Sequence, residues 1–255
     1  MVGQLAVRSM ALLAHGGLIL GKRKAMYITH HSLLDIQPIG DTQKKVFEAY
    51  GAEKNIFAQG VAGSGKTFIL LYLALKEVLD KRTPYERVVI IRSLLPSRDV
   101  GYLPGTLEEK SDLYQDPYRI LVRTMFEMPS DADFLQLYDK LSGQGSLEFI
   151  TTSFLRGQTF DRTIVLVDEF QNMVFQELDT LITRIGQDSK VLFAGDTAQT
   201  DLKNGNASGH QRFTQILETM PEFHIAEFAF EDIVRSGLVR NYLIAKYNLG
   251  MKDST

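Results

Sequence analysis

Asn55-Ile56-Phe57-Ala58-Gln59-Gly60-Val61-Ala62-Gly63-Ser64-Gly65-Lys66-Thr67-Phe68 is the stretch whose reading decides the fold. A short apolar run leads into eight residues that fit GxxxxGK[ST] in full. From Phe68 to Lys81 apolar residues then recur at helical spacing (Leu70, Leu71, Leu73, Ala74, Leu75, Val78). Strand, glycine-rich turn and helix in that order predict a phosphate-binding loop. The glycines let backbone N–H groups curl around phosphate oxygens without obstruction from a Cβ. The helix beginning after Gly65 aims its positive end at the same point. Gly60, Val61, Ala62, Gly63, Ser64, Gly65, Lys66 and Thr67 therefore form the expected nucleotide cradle. Lys66 is the cation for the β- and γ-phosphates, and the Thr67 hydroxyl is a ligand for Mg²⁺.

Outward from this loop the chain alternates. Arg87–Arg92, Leu147–Thr151, Thr163–Val167, Val191–Ala194 and His224–Phe228 read as further strands. Helical patterns lie at Pro117–Glu127, Phe134–Leu141, Met173–Ile185, His210–Thr219 and Phe230–Tyr247. Apolar strands alternating with helices predict an α/β fold of three layers, with a mainly parallel central sheet covered on both faces. The segment Leu94–Gly145 departs most from the alternation and reads as an insertion. Residues 26–255 are expected to form one domain. Residues 1–25 read as an extension, with Met26 a candidate start of the native chain; the apolar residues there lack the charge order of a secretory signal.

Thr163-Ile164-Val165-Leu166-Val167-Asp168-Glu169 is an apolar strand ending in two acids. Period-two geometry sends the two carboxylates to opposite sides at the end of the sheet where α/β proteins bind ligands. Asp168 is then placed to hold Mg²⁺ together with Thr67, and Glu169 to orient and deprotonate an attacking water. A kinase has no use for the second acid, so the pair favours hydrolysis. A further strand ends in Gly195-Asp196-Thr197-Ala198-Gln199, where an amide is placed to contact a γ-phosphate. Gln43, in the helix start Gly40-Asp41-Thr42-Gln43, has the donor and acceptor to read adenine, although a glutamine taken alone is more often a surface residue.

The 255 residues are about 44% hydrophobic and 23% charged, with a formal net charge of −3 and no cysteine. Such composition supports a packed core and excludes a disulfide scaffold, a thiolate metal site and a cysteine nucleophile. It fits a reducing compartment, and a cytoplasmic location is the expectation. No apolar run reaches 18 residues, the minimum for a membrane span. With no global positive charge, any nucleic-acid contact must be local. No NKxD guanine-reading signature is present, which favours ATP over GTP.

Taken together, these motifs resemble the ATPase core of superfamily 1 helicases, and more closely the PhoH-like ATPases. The resemblance rests on the loop, on Val167-Asp168-Glu169-Phe170-Gln171-Asn172 and on Gly195-Asp196-Thr197-Ala198-Gln199. It also rests on Val100-Gly101-Tyr102-Leu103-Pro104-Gly105, Phe154-Leu155-Arg156-Gly157-Gln158-Thr159, Leu181–Gly186 and Glu231-Asp232-Ile233-Val234-Arg235. Phe170 replaces the alanine usual in the family, and Ser93–Pro96 varies from it. The resemblance implies a RecA-like P-loop domain that binds ATP and Mg²⁺, with Gln43 at adenine, Glu169 as base and Gln199 as γ-phosphate sensor. It also implies action on single-stranded RNA or DNA.

A phosphoryl-transfer site further needs an arginine, worth on the order of a thousandfold or more. Helicases of this kind take it from a second lobe for which this chain has no residues. Arg184 or Arg235 acts within the chain, or a neighbouring subunit supplies the group. The favoured expectation is a head-to-tail homo-oligomer such as a hexameric ring, with Arg235 the leading candidate. Arg92, Arg98, Lys110, Arg119 and Arg123, interleaved with Tyr102, Tyr114, Tyr118 and Phe126, suit a single strand by charge and stacking. Charged helix faces over core aromatics give the same pattern. The alternative functions are an ATP-dependent regulatory or assembly protein with a protein partner, and a small-molecule kinase.

Overall fold

Among the described residues, β-branched and aromatic side chains build six strands: β1 (Asn55–Gly60), β2 (Arg87–Arg92), β3 (Leu147–Thr151), β4 (Thr163–Asp168), β5 (Lys190–Gly195) and β6 (Phe223–Phe228). They form one sheet in the order β3-β2-β4-β5-β1-β6, with every pairing parallel. The structure, a computed structural model, describes residues 28–93, 107–196 and 209–249. The extension 1–25, Met26 and the stretch Val100–Gly105 lie outside the described residues.

A parallel sheet must be covered on both faces, and the helices do this. α1 (Gly40–Gly51), α2 (Lys66–Val78), α3 (Leu107–Met125) and α4 (Asp131–Gly143) lie on one face. α5 (Phe175–Ile182) and α6 (Gly209–Glu218) lie on the other, and α7 (Gly237–Asn248) follows β6. Side chains of β4 alternate between the two cores. Ile164 and Leu166 enter the first, while Val165 and Val167 enter the second. Phe57, Phe170, Phe193 and Phe213 fill the second core, with ring centroids 4.5 Å apart for Phe57–Phe170 and 5.3 Å for Phe193–Phe213. The strand β5 separates β1, which carries the loop, from β4, which carries the acids, as in RecA-like P-loop domains. The expected fold class is the one observed.

Helix boundaries differ from expectation in informative places. The helical pattern read at Pro117–Glu127 begins earlier in the structure: α3 runs from Leu107 through Pro117, although proline is favoured in the first turn of a helix. Pro117 faces the cleft described below. α3 and α4 supply the crossover from β2 to β3, so the described part of the expected insertion, 107–145, is part of the domain. The predicted helix Phe230–Tyr247 is instead a short 3-10 turn, Phe230–Asp232, and then α7. Between them the Val234 N–H bonds the Gly63 carbonyl at 3.1 Å, so this backbone serves the loop and not a helix.

At the opposite end of the sheet, Lys190 opens β5 with only 2% of its side chain exposed. Its ammonium lies 3.0 Å from Glu53, 3.5 Å from Glu77 and 4.0 Å from the Tyr50 ring centre. The Tyr50 hydroxyl donates to Glu77 at 2.7 Å. Burial raises the Glu77 carboxyl above its ordinary value, while Tyr50 and Lys190 pull it back. Lys190→Ala strands Glu77 and should destabilise the domain by about 2–3 kcal/mol, discounted from the usual buried-pair loss because Glu53 is largely exposed. Urea unfolding of the two proteins checks this.

Candidate functional site

The eight-residue loop joins β1 to α2 through two left-handed glycines, Gly63 (φ 79°) and Gly65 (φ 81°). Gly65 caps α2, and no acidic residue stands in the helix's first turn, so its positive end remains available to an anion. Three separate elements hold the loop. Val61 N–H bonds the Phe228 carbonyl at the end of β6 (3.0 Å), and Val234 N–H bonds Gly63. From α1, Gln43 donates through Nε2 to the Ser64 carbonyl at 3.1 Å and accepts from Ile39 N–H at 2.8 Å. Gln43 is 3% exposed, so it lies beneath the loop and is not the surface residue that a lone glutamine suggests.

Lys66 is buried and folded onto its own loop. Its ammonium donates to the carbonyls of Gly60 (2.8 Å) and Val61 (2.7 Å) and to the Ser64 hydroxyl (3.2 Å). Burial lowers its pKa; Asp196, Glu169, Asp168 and Asp232 act in the opposite direction. Ala62 N–H donates to the Asp196 carboxylate at 3.0 Å.

Asp168 continues the parity of Ile164 and Leu166 and therefore faces α2 and α3. Its Oδ1 accepts the Thr67 hydroxyl at 2.7 Å, and its Oδ2 accepts the Tyr118 hydroxyl at 2.7 Å. Glu169 follows in the left-handed region (φ 52°, ψ 43°), sparsely populated by residues other than glycine. The Gln171 amide donates to Glu169, and the same amide's oxygen accepts Asp196 N–H at 3.1 Å. Burial, reinforced by the neighbouring Asp168 charge, raises the Glu169 carboxyl above its ordinary value, while the Gln171 bond opposes this. A raised carboxyl facing a cleft is suited to proton transfer.

One cleft is lined by Gly63, Lys66, Thr67, Asp168, Glu169 and Asp196, with Arg92, Tyr118 and Arg235 completing its wall. Arg235 lies over the loop of its own chain, where a Cβ built on Gly63 would meet its Cγ at 3.0 Å. Arg184 is not brought here. Its carbonyl accepts Phe160 N–H at 2.8 Å, ahead of the first residue of β4 and so at the far end of the sheet. Gln199, Arg98 and Tyr102 lie outside the described residues, as does the side chain of Lys110. Of the aromatic residues expected to stack, Tyr118 and Phe126 belong to the core and Tyr114 is half-buried. Arg119 packs over the Tyr138 ring and Arg123 pairs with Asp131. α3 is amphipathic, and its Tyr118 ring packs on Phe149 of β3.

Sequence reasoning does not assign Gln171, Tyr118 or Arg92 to this site. For Gln171 a signal is present, two positions after Glu169 in the acid motif. Tyr118 has none, since only the crossover brings it 50 residues back to Asp168.

The family description "PhoH-like protein" matches residues 35–247. The chain belongs to the PhoH-like protein family. Among PhoH-like relatives, the PhoH-like protein of Mycobacterium leprae (strain TN) is 32% identical over 222 residues, covering 85% of this chain and 61% of the relative. Protein PhoH of Escherichia coli (strain K12) is 33% identical over 216 residues, covering 83% and 59%. The chain thus spans about three-fifths of the length of these curated relatives. Among solved structures, the large terminase of a thermophilic bacteriophage, in complex with ADP, aligns over 81% of this chain and 49% of its own, at TM-score 0.46 and 12% identity. The Pif1 helicase of Candida albicans aligns over 84% and 44%, at TM-score 0.42 and 15% identity. Among the described residues no helix is long and apolar enough to cross a membrane.

Proposed function

We propose that this PhoH-like chain is a Mg²⁺-dependent ATP hydrolase that couples turnover to binding or remodelling of single-stranded RNA or DNA, as a homo-oligomer. The observation that carries the reading is the meeting of Lys66 and Thr67, from one helix start, with Asp168 and Glu169, from one strand end, in a single cleft. The Thr67 hydroxyl and Asp168 carboxylate are hard oxygen donors bonded at 2.7 Å. Mg²⁺ is commonly held by one or two protein oxygens, with phosphates and waters completing its shell, so this donor set fits it. When bound between Thr67 and Asp168, Mg²⁺ would supply charge neutralisation at the β- and γ-phosphate oxygens.

The chain's own residues do the rest. The loop amides and the start of α2 bind the phosphates, and Lys66 exchanges its loop carbonyls for phosphate oxygens. Glu169, with its carboxyl steadied by Gln171, orients the attacking water and takes its proton. Gln43, the adenine-reading residue of this proposal, also ties α1 to the loop through the Ser64 carbonyl. Gln199, three positions after Asp196 in the sequence, is the γ-phosphate sensor in this reading, and Asp196 is bonded to both the loop and Gln171.

Arg235 reaches the cleft from its own chain, so it requires no neighbour to approach the phosphates. An Arg235→Ala variant should lose about a hundredfold or more in turnover with nucleotide binding kept; a wild-type rate removes Arg235 from the mechanism. A ring is supported by α7, which leads away from Arg235 and presents Leu238 (82% exposed) and Tyr242 outward as an apolar surface. The reading as an assembly factor for a protein partner is favoured by Tyr118 and Phe126, which lie in the core and are withdrawn from any stacking surface. ATP turnover measured alone, with single-stranded RNA and with single-stranded DNA, alongside oligomer mass, separates the two. Stimulation by a single strand supports the first, and indifference to both supports the second.

A further inference from the structure

We propose that Tyr118 is the positioning residue for the metal-holding carboxylate, fixing Asp168 in place beside Arg92 in the wall of the cleft. The inference rests on the ATP hydrolase reading. Tyr118 lies in α3, outside every motif that marks the nucleotide loop, and is 2% exposed. Its ring packs on Phe149 with centroids 5.5 Å apart. A phenol buried this deeply needs a partner for its hydroxyl, and it finds one in Asp168 Oδ2 at 2.7 Å.

The bond has a definite direction. Arg92 is the last residue of β2 and lies opposite Asp168 in the strand register. It shares the parity of Val88 and Ile90, so its side chain leaves the sheet on the α3 side. It lines the cleft together with Tyr118 and Asp168. A carboxylate only accepts, so the single phenol proton is committed to Asp168. Asp168 is thereby held from two helices at once, Oδ2 by α3 and Oδ1 by Thr67 of α2. Rotation of the carboxylate, which would swing Oδ1 away from Thr67, breaks both bonds. Outer partners of this kind change metal affinity or activity by about 10–100-fold when removed.

Tyr118→Phe keeps the ring and removes only the hydroxyl. Manganese titrations of the ADP complex, followed by electron paramagnetic resonance, read the effect without turnover. The expected result is an approximately tenfold weaker Mn²⁺ affinity in Tyr118→Phe, with ADP binding in the absence of metal unchanged. The Mg²⁺ concentration for half-maximal ATP turnover should rise by a similar factor. Tyr118→Met, which also removes the hydroxyl and fills the ring's place with a flexible apolar side chain, should weaken Mn²⁺ binding in the same direction and provides the test if Tyr118→Phe misfolds. Wild-type Mn²⁺ affinity in a folded Tyr118→Phe, or in Tyr118→Met where Tyr118→Phe misfolds, overturns the proposal while leaving the hydrolase reading intact. Failure of the unaltered protein to bind Mn²⁺ with ADP overturns both.

Discussion

Glu169→Gln is expected to lower ATP turnover by about 10²–10⁴-fold, the usual contribution of a positioned general base, with nucleotide binding retained. The substitution is nearly isosteric. Glu169 accepts from the Gln171 amide, and the oxygen of a glutamine at position 169 can take the same bond. Lys66, Thr67 and Asp168 make no hydrogen bond to Glu169, so the cradle and the metal acid are undisturbed. What disappears is the capacity to take a proton from water. Burial and Asp168 hold the Glu169 carboxyl above its ordinary value, which strengthens it as a base relative to an exposed carboxylate. Single-turnover hydrolysis together with calorimetric ADP and ATP binding checks the outcome. Unchanged turnover would move the base elsewhere. Weakened binding with unchanged single-turnover chemistry would assign Glu169 to the ground state.

All six strands were legible because a parallel sheet buried on both faces forces near-continuous apolar runs, and Thr163–Val167 and Val191–Ala194 are of that kind. Strand alternation accounts for the side that Asp168 takes, but Glu169 lies beyond the strand end in left-handed backbone and lines the same cleft as Asp168. Hidden from the sequence were the contacts that depend on the third dimension. Tyr118 reaches Asp168 because α3 crosses the sheet between β2 and β3, and periodicity along α3 marks it only as a core residue. Arg235 looked like a residue in need of a neighbour, since helicases borrow their arginine from a second lobe. The bond between Val234 and Gly63 folds its segment over the loop instead. Arg184 sits in a motif of equal clarity, yet its carbonyl is spent on Phe160 at the wrong end of β4. Motif membership identifies residues that matter; the strand end on which they sit decides what they can touch.

The same geometry makes the first glycine of the loop the least replaceable. Gly60→Ala is expected to destabilise the domain by about 4 kcal/mol and to abolish nucleotide binding in whatever remains folded. Gly60 sits at φ +123°, a backbone region L-residues rarely adopt, and a Cβ there would lie 2.0 Å from the Phe228 carbonyl oxygen. That oxygen is itself the acceptor for Val61 N–H, so the clash falls on the bond that joins the loop to β6. Backbone strain of about 1–3 kcal/mol adds to about 1–3 kcal/mol for forcing an atom into filled space. Neither can be relieved by a side-chain rotation, because the obstacle is backbone in the adjacent strand. The Gly60 carbonyl also accepts from Lys66, so displacement of the strand end carries the phosphate-binding cation with it. Gly51→Ala is the matched control: it ends α1, and a Cβ there meets nothing within 4 Å. It should change stability by less than about 1 kcal/mol. Thermal and urea unfolding of both variants, with ADP binding measured on the folded fraction, distinguishes a position that needs glycine from one that merely has it. Comparable stability of the two variants would show that the β1–β6 end opens to admit a methyl group.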